Sequence, residues 1–188
     1  MNINTKQSII DAFNKLILDD LLNKITVIAI CDEAGVNRQT FYYYYKDIID
    51  LMTSTVSDEI YAKIEGGRSY ETWTYGFLMT MRYIKENKPK IKHIYYSTYW
   101  DEADLYFIRF NKKLLTHVVK ECANNLDTNI TDECINFIVH IYNMIFHGVF
   151  IEYMESDMKI EPEVVLSKLL KVISGEIPRA IIAFSGCK

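Results

Sequence analysis

The sequence predicts an all-α protein, and three observations carry that prediction. Only three prolines and seven glycines punctuate 188 residues, so long stretches hold no turn signal. Apolar residues recur at three- and four-residue spacing along most of the chain, the period of a helix with one buried face. Between two such stretches stands Ala34-Gly35-Val36-Asn37, a short break of the kind that joins two helices at an angle. Hydrophobic residues at 49 % and charged residues at 24 % place the chain among folded globular proteins rather than disordered ones.

The elements follow in order. A first helix is expected from about Thr5 to Leu22, with Ile9, Phe13, Leu16 and Ile17 on one stripe. Thr26 is placed to cap a second, from Val27 to Ala34. Gly35 can take the left-handed conformation that ends a helix, and Val36 is expected to be the buried turn residue. Asn37 caps a third helix from Arg38 to Tyr44, and Asp47 a fourth, which continues through Leu51, Val56 and Ile60 toward Ile64. Gly66-Gly67 is the first clear break. Beyond it, Trp73, Phe77, Met81 and Ile84 stripe a helix that ends before Pro89, and a short segment runs from Lys90 to Tyr99. Asp101 is expected to cap a long helix, Thr131 another from Asp132 to about Glu155, and Pro162 to open the last, which Gly175 and Pro178 interrupt. These elements divide into residues 1–47 and residues 48–188, with the fourth helix as connector to about residue 65.

Two helices joined by a glycine-containing turn of about three to four residues make a helix-turn-helix, whose second helix enters the DNA major groove. Residues 1–47 are therefore expected to be a three-helix DNA-binding domain. The first turn of the second helix lies nearest the base edges. There Arg38 can fork onto guanine, Gln39 can pair with adenine, and Thr40 can meet a thymine methyl or a phosphate. The run Tyr42, Tyr43, Tyr44, Tyr45 cannot all point inward, because successive helical residues rotate by about 100°. Phe41 and Tyr45, four apart, share the buried face. Tyr42, Tyr43 and Tyr44 are left for phosphate oxygens and thymine methyls. Lys46 and the free amides opening the fourth helix are expected to meet phosphate. Thr26 and Asn37, which cap the two helices, complete the expected DNA-facing set.

The helix from Asp132 to Glu155 is apolar nearly all round and so asks for cover on every side. A second copy is the simplest cover, and a homodimer through residues 132–155 and 162–174 is expected. The aromatic-rich C-terminal part also suggests a site for a small apolar or aromatic effector, with Tyr99, Trp100, Tyr142 and His147 as candidate lining.

Other classes find no support. Cys31, Cys122, Cys134 and Cys187 are scattered, with no zinc-like spacing, and read as buried thiols in a reducing compartment. His93, His117, His140 and His147 form no local metal motif. No phosphate-binding glycine loop, nucleophile elbow or His-Glu-x-x-His occurs, so neither an enzyme nor a cofactor is expected. No uninterrupted apolar run reaches the ~18 residues that span a membrane, and no signal-peptide pattern is present. A cytoplasmic protein is the expectation. The net charge of −4 is unusual for a nucleic-acid binder, and within the first 60 residues five Lys and Arg face nine carboxylates.

Thr26 to Leu51 resembles the signature of the TetR/AcrR family of bacterial transcriptional regulators. The resemblance rests on Thr26, Ile30-Cys31, Ala34-Gly35-Val36, Thr40-Phe41-Tyr42, Tyr44-Tyr45-Lys46 and Leu51, with Ile9, Ile10, Ala12 and Leu16 of the first helix. It covers about the first third of the chain. It implies an omega-shaped homodimer that binds a palindromic operator, an inverted repeat in double-stranded DNA. It also implies a repressor released by a small molecule held in the C-terminal part. Around Phe146-His147-Gly148, Glu152 and Pro162-Glu163 the chain is faintly similar to members related to dihydroxyacetone kinase regulators. It departs from the family at Ile48, where a phosphate-holding lysine is usual, and at Cys31, where alanine is usual. Ile48 and the acidic first domain motivate an alternative: a family member acting mainly through another protein, with weak DNA binding.

Overall fold

The structure, a computed structural model, describes residues 3–185, with side chains from Thr5 onward. Cys187, one of the four expected buried thiols, lies outside the described residues; Cys31 and Cys122 are buried and Cys134 half-buried. The described residues are helical throughout, with no strand among them. They form two compact units, each discontinuous in sequence. One takes the residues up to Glu59 together with Asn87–Phe107; the other takes Ile60–Glu86 together with the chain from Ile108 onward.

The first unit opens with α1 (Ile3–Leu16), which packs on α2 (Val27–Ala34); α2 in turn meets α3 (Arg38–Tyr44). It also contains most of α4 (Ile48–Lys63), all of α6 (Lys88–Tyr95) and the start of α7 (Trp100–Asn125). Ile9, Phe13, Ile17, Leu22, Ile30, Phe41, Leu51, Met52 and Ile94 are among its fully enclosed side chains. Helix α1 stops six residues short of its expected end. Leu18 falls on the exposed side, so the stripe is lost there. Asp19 and Asp20 place negative charge at the negative end of the helix dipole. The backbone tightens into i to i+3 bonds at Leu18 and Asp19, and a 3-10 turn at Leu22–Lys24 leads to α2.

This unit also buries a charge. Lys90 of α6 is 3 % exposed, and its ammonium donates to the Asn14 side-chain oxygen at 2.7 Å and to Glu59 at 2.8 Å. The Asn14 amide donates to the other Glu59 oxygen at 3.0 Å, closing a three-way network among α1, α4 and α6. Burial pushes the Lys90 ammonium below its ordinary pKa, and the bond to Glu59 and its charge pull it back. One turn along α6, the His93 ring N–H donates to the Ile17 carbonyl at 2.7 Å. The short segment expected from Lys90 to Tyr99 is thus largely a helix, which opens at Lys88 with Pro89 in its first turn, where a missing N–H costs nothing.

The second unit contains α5 (Trp73–Glu86), the rest of α7, α8 (Asp132–Glu155), α9 (Pro162–Ile173) and α10 (Glu176–Phe184). Its core joins Val119 and Cys122 of α7, Ile138, Val139 and Phe146 of α8, and Leu169, Ile177 and Ile181 further on. Two expected boundaries shift. Helix α7 begins at Trp100, so Asp101 sits in its first turn rather than capping it. Gly175, left-handed at φ 78°, ends α9, and Pro178 lies inside a further helix, α10. The Gly66-Gly67 break also has a second cause. A Cβ on Gly67 would lie 2.4 Å from the Gly76 nitrogen, and one on Gly76 only 2.1 Å from the Gly67 carbonyl oxygen, so two backbones touch where no side chain fits.

Helix α8 is not enclosed within the single chain. Phe137, Ile141 and Met144 are exposed on one side while Ile135, Ile138, Val139 and Phe146 fill the core on the other. The expectation that nothing here could span a membrane is corrected on composition, because α8 is long and apolar enough to do so. One face of α8 packs into the core of the second unit, and a buried amide ties it to α7. The buried Asn143 amide donates to the Ile108 carbonyl at 3.1 Å, and its side-chain oxygen accepts from Asn111 at 2.7 Å.

Candidate nucleic-acid interface

The turn between α2 and α3 is built by three local devices. The Thr26 hydroxyl oxygen accepts from the Ala29 amide at 3.1 Å and so opens α2. Gly35 ends α2 at φ 64°, where only glycine sits without strain, and its amide donates back to Asp32 and Cys31. The Asn37 side-chain oxygen accepts from the Thr40 amide at 2.8 Å and from the Thr40 hydroxyl at 3.0 Å, opening α3. Val36 is half-buried rather than buried.

Helix α3 then divides its surface. Phe41 and Tyr45 face inward, in ring contact at 5.9 Å, and hold the helix down. Arg38 and Gln39 are exposed, with Tyr42 at 49 % and Tyr43 at 68 %, so four of the expected contact residues form one open edge. Tyr44 is half-buried, its ring edge-on to Tyr43 at 5.0 Å. Thr40 is half-buried with its hydroxyl engaged by Asn37, which leaves its methyl as the outward group. Thr26 and Asn37 spend their side chains on capping. Beneath the edge, burial, then the charges of Asp58 and Asp50, push the Tyr45 phenol up to about 12, and its hydroxyl has no hydrogen-bond partner.

The opening of α4 differs from expectation. Lys46 is exposed, but its amide donates to Asp50 at 2.9 Å, and the Asp50 amide donates to Asp47 at 2.8 Å. The Asp50 amide, one of those expected to meet phosphate, is therefore occupied, and two carboxylates stand where an anion would approach.

Two features here were missed in the sequence. Arg38 lies over the face of Tyr42, its guanidinium carbon 6.0 Å from the ring centroid. The i, i+4 spacing of Arg and Tyr on an exposed helix face was the available signal. The bond from the Lys46 amide to the Asp50 carboxylate, beside the expected Asp47 cap, was readable from the same spacing rules.

The four candidate effector residues fall into both units. Tyr99 and Trp100 belong to the first, where Trp100 packs edge-on against Tyr95 at 4.7 Å. Tyr142 and His147 belong to the second. Tyr142 is buried beside Phe146, and burial, followed by Glu176, Cys122 and Tyr70, pushes its phenol up to about 12. In the second unit an open groove of about 440 Å³ runs along α5 and α9, lined by Leu78, Leu166, Leu170, Glu163 and Lys171. None of the four candidates lines it. Among the described residues no cluster of His, Cys, Asp and Glu could hold a metal ion.

An all-helical chain carrying a doubly capped helix-turn-helix with one exposed, cationic and aromatic edge defines the class of helix-turn-helix transcriptional regulators. Residues 71–175, more than half of the chain, match the TetR family model described as "Transcriptional regulator C-terminal region", and the chain belongs to that family. Among curated proteins it is similar to the HTH-type dhaKLM operon transcriptional activator DhaS of Lactococcus lactis subsp. lactis (strain IL1403), 29 % identical over 87 residues. That match spans 46 % of each protein, about half the length of the relative. Among solved structures, the dihydroxyacetone kinase operon activator DhaS superposes with a TM-score of 0.69 at 21 % identity, covering 98 % of this chain and 100 % of that one. NalD, the secondary repressor of the MexAB-OprM multidrug efflux pump in Pseudomonas aeruginosa, superposes at 0.56 with 13 % identity, covering 94 % and 96 %. Both share the fold.

Proposed function

We infer that the chain binds an inverted-repeat DNA operator as a homodimer and regulates transcription there, through Arg38, Gln39, Thr40, Tyr42, Tyr43, Tyr44 and Lys46. The observation that carries this reading is the divided surface of α3: Phe41 and Tyr45 are locked inside while Arg38, Gln39, Tyr42 and Tyr43 stand clear of their own subunit. Support for the homodimer comes from α8 and α9, where Phe137, Ile141, Met144 and Val172, the last 76 % exposed, offer apolar surface to water. Repression in the cytoplasm, relieved by a small apolar or aromatic effector near Tyr99 and Trp100 or Tyr142 and His147, is the proposed output. DhaS is an activator and NalD a repressor by their names, so in vitro transcription from the bound promoter reads the sign.

A salt titration on the promoter fragment upstream of the protein's own gene tests the reading. Affinity is expected to fall steeply with salt as counterions are released. Arg38→Ala is expected to cost about 1–3 kcal/mol on the preferred sequence and to erode preference. Lys46→Ala should weaken all sequences alike and lower the salt slope by about one. If neither substitution changes binding, the docking face is misassigned.

The carboxylates of Asp47 and Asp50 at the opening of α4, beside Ile48, favour a second reading in which the chain works mainly through a partner protein. That reading expects a salt slope near zero on DNA and transcriptional effects that survive Arg38→Ala.

A further inference from the structure

Resting on the DNA-binding reading above, we propose that Arg38 and Tyr42 act as one preassembled element that reads a thymine next to, or one base pair removed from, a guanine in each half-site, the thymine through its 5-methyl group.

The geometry comes first. Arg38 and Tyr42 are four residues apart on α3, and the guanidinium lies over the Tyr42 ring at 6.0 Å. The ring is itself braced, because the fully buried Phe41 meets it edge-on at 5.4 Å and 88°. An arginine laid along a fixed aromatic has surrendered much of its rotamer freedom before any ligand arrives, so less is lost on binding. Its fork remains able to meet two acceptors at once.

The chemistry sets the target. In the major groove only guanine offers the O6 and N7 acceptor pair that a guanidinium grips with two bonds, and only thymine offers a methyl to an apolar edge. The two side chains are separated along the helix by about 6 Å, four steps of the helical rise. Base pairs stack about 3.4 Å apart, so the fork and the ring edge fall on base pairs one or two steps apart. No carboxylate interrupts the pair: residues 37 to 45 carry no Asp or Glu. Because the guanidinium is held 6.0 Å over the ring centroid, the positions of the fork and of the ring depend on one another. Losing either partner therefore weakens what the other reads.

The test uses the full-length protein and two pools of randomised duplex DNA, one made with thymine and one with uracil in its place. Sequences retained from the thymine pool should carry a thymine within two base pairs of a guanine. The same sequences made with uracil should bind about five- to tenfold more weakly, the scale of a lost base-edge contact. Tyr42→Ala should bind the two forms alike, whereas Tyr42→Phe, which keeps the ring, should still tell them apart. The losses from Arg38→Ala and from uracil should combine to less than their product, the mark of coupled contacts. Retained sequences lacking the step, a wild-type protein indifferent to uracil, or losses that simply multiply would each overturn the proposal while leaving DNA binding intact. Failure to retain any duplex from either pool overturns the DNA-binding reading and this proposal with it. The uracil comparison on the unaltered protein needs no variant to fold.

Discussion

Two faces, one on each compact unit, present different chemistry to water. The first unit holds the polar network of Lys90, Glu59 and Asn14 inside, and its α3 edge shows Tyr42 and Tyr43, whose rings end in hydroxyls. The second fills its core with aliphatic and aromatic carbon and shows water Phe137, Ile141, Met144 and Val172, which have no polar tip. A tyrosine edge suits a wet, phosphate-lined partner, whereas a bare hydrocarbon face suits another protein. Exposure alone would not separate them. The atoms at the end of each exposed side chain do.

The largest effect expected tests the hydrocarbon face. Placing charge in the middle of α8, as Ile141→Glu with Met144→Glu, should convert a dimer to a monomer and lower operator affinity by roughly 10²–10⁴-fold, since two linked half-sites are then bound singly. Sedimentation velocity and a binding titration read the two quantities. An unchanged sedimentation coefficient would move the interface away from α8.

The next probes the polar interior of the first unit. Lys90→Met removes the ammonium from which one Glu59 oxygen and the Asn14 side-chain oxygen accept, and should cost about 3 kcal/mol in urea unfolding, the low end for a broken buried pair, because Glu59 keeps 30 % of its side chain in water. Adding Glu59→Leu should recover most of the loss. A double variant no better than the single one would show that the network does more than satisfy its own charges.

The smallest effect compares one residue type across both units. Tyr45 and Tyr142 are each pushed up to about 12 from an ordinary value of 10.0, chiefly by burial. Between those values the folded chain keeps both phenols protonated while the unfolded chain loses its protons, so the contribution of these two groups to stability is fully present below pH 10 and is lost as pH rises toward 12. Thermal melts at pH 8 and pH 11 should show the drop. Tyr45→Phe should reduce it, and at pH 8 should be neutral or stabilising by up to about 1 kcal/mol, because the hydroxyl it removes has no partner.

What could be read in advance followed the range of the interaction. Thr26, Gly35, Asn37 and Thr131 act on backbone within three residues of themselves, and the helices they bound, α2, α3 and α8, begin where those residues predict. The end of α1 lies at Leu16 rather than Leu22 because the apolar spacing continues through Ile17 and Leu22 while Leu18 faces water and Asp19 and Asp20 oppose the helix dipole. Lys90 could not be singled out: Lys88, Lys90 and Lys92 look alike in sequence, and its burial depends on residues 31 and 76 positions away. The same long range hid the return of α6 to the first unit. At the candidate interface, the inward turn of Phe41 and Tyr45 was legible from four-residue spacing. The engagement of the Thr40 hydroxyl was not, because it depends on which of several near neighbours wins a bond.

Gly35 and Gly67 carry the same side chain for unrelated reasons, and a change of chirality would tell them apart. At Gly35 nothing lies within 4 Å of the site of a Cβ, and the demand is wholly torsional, so the mirror-image residue D-alanine should be accommodated there and L-alanine resisted. At Gly67 the neighbouring backbone fills the space a methyl would need. One position is a question of handedness and the other of room.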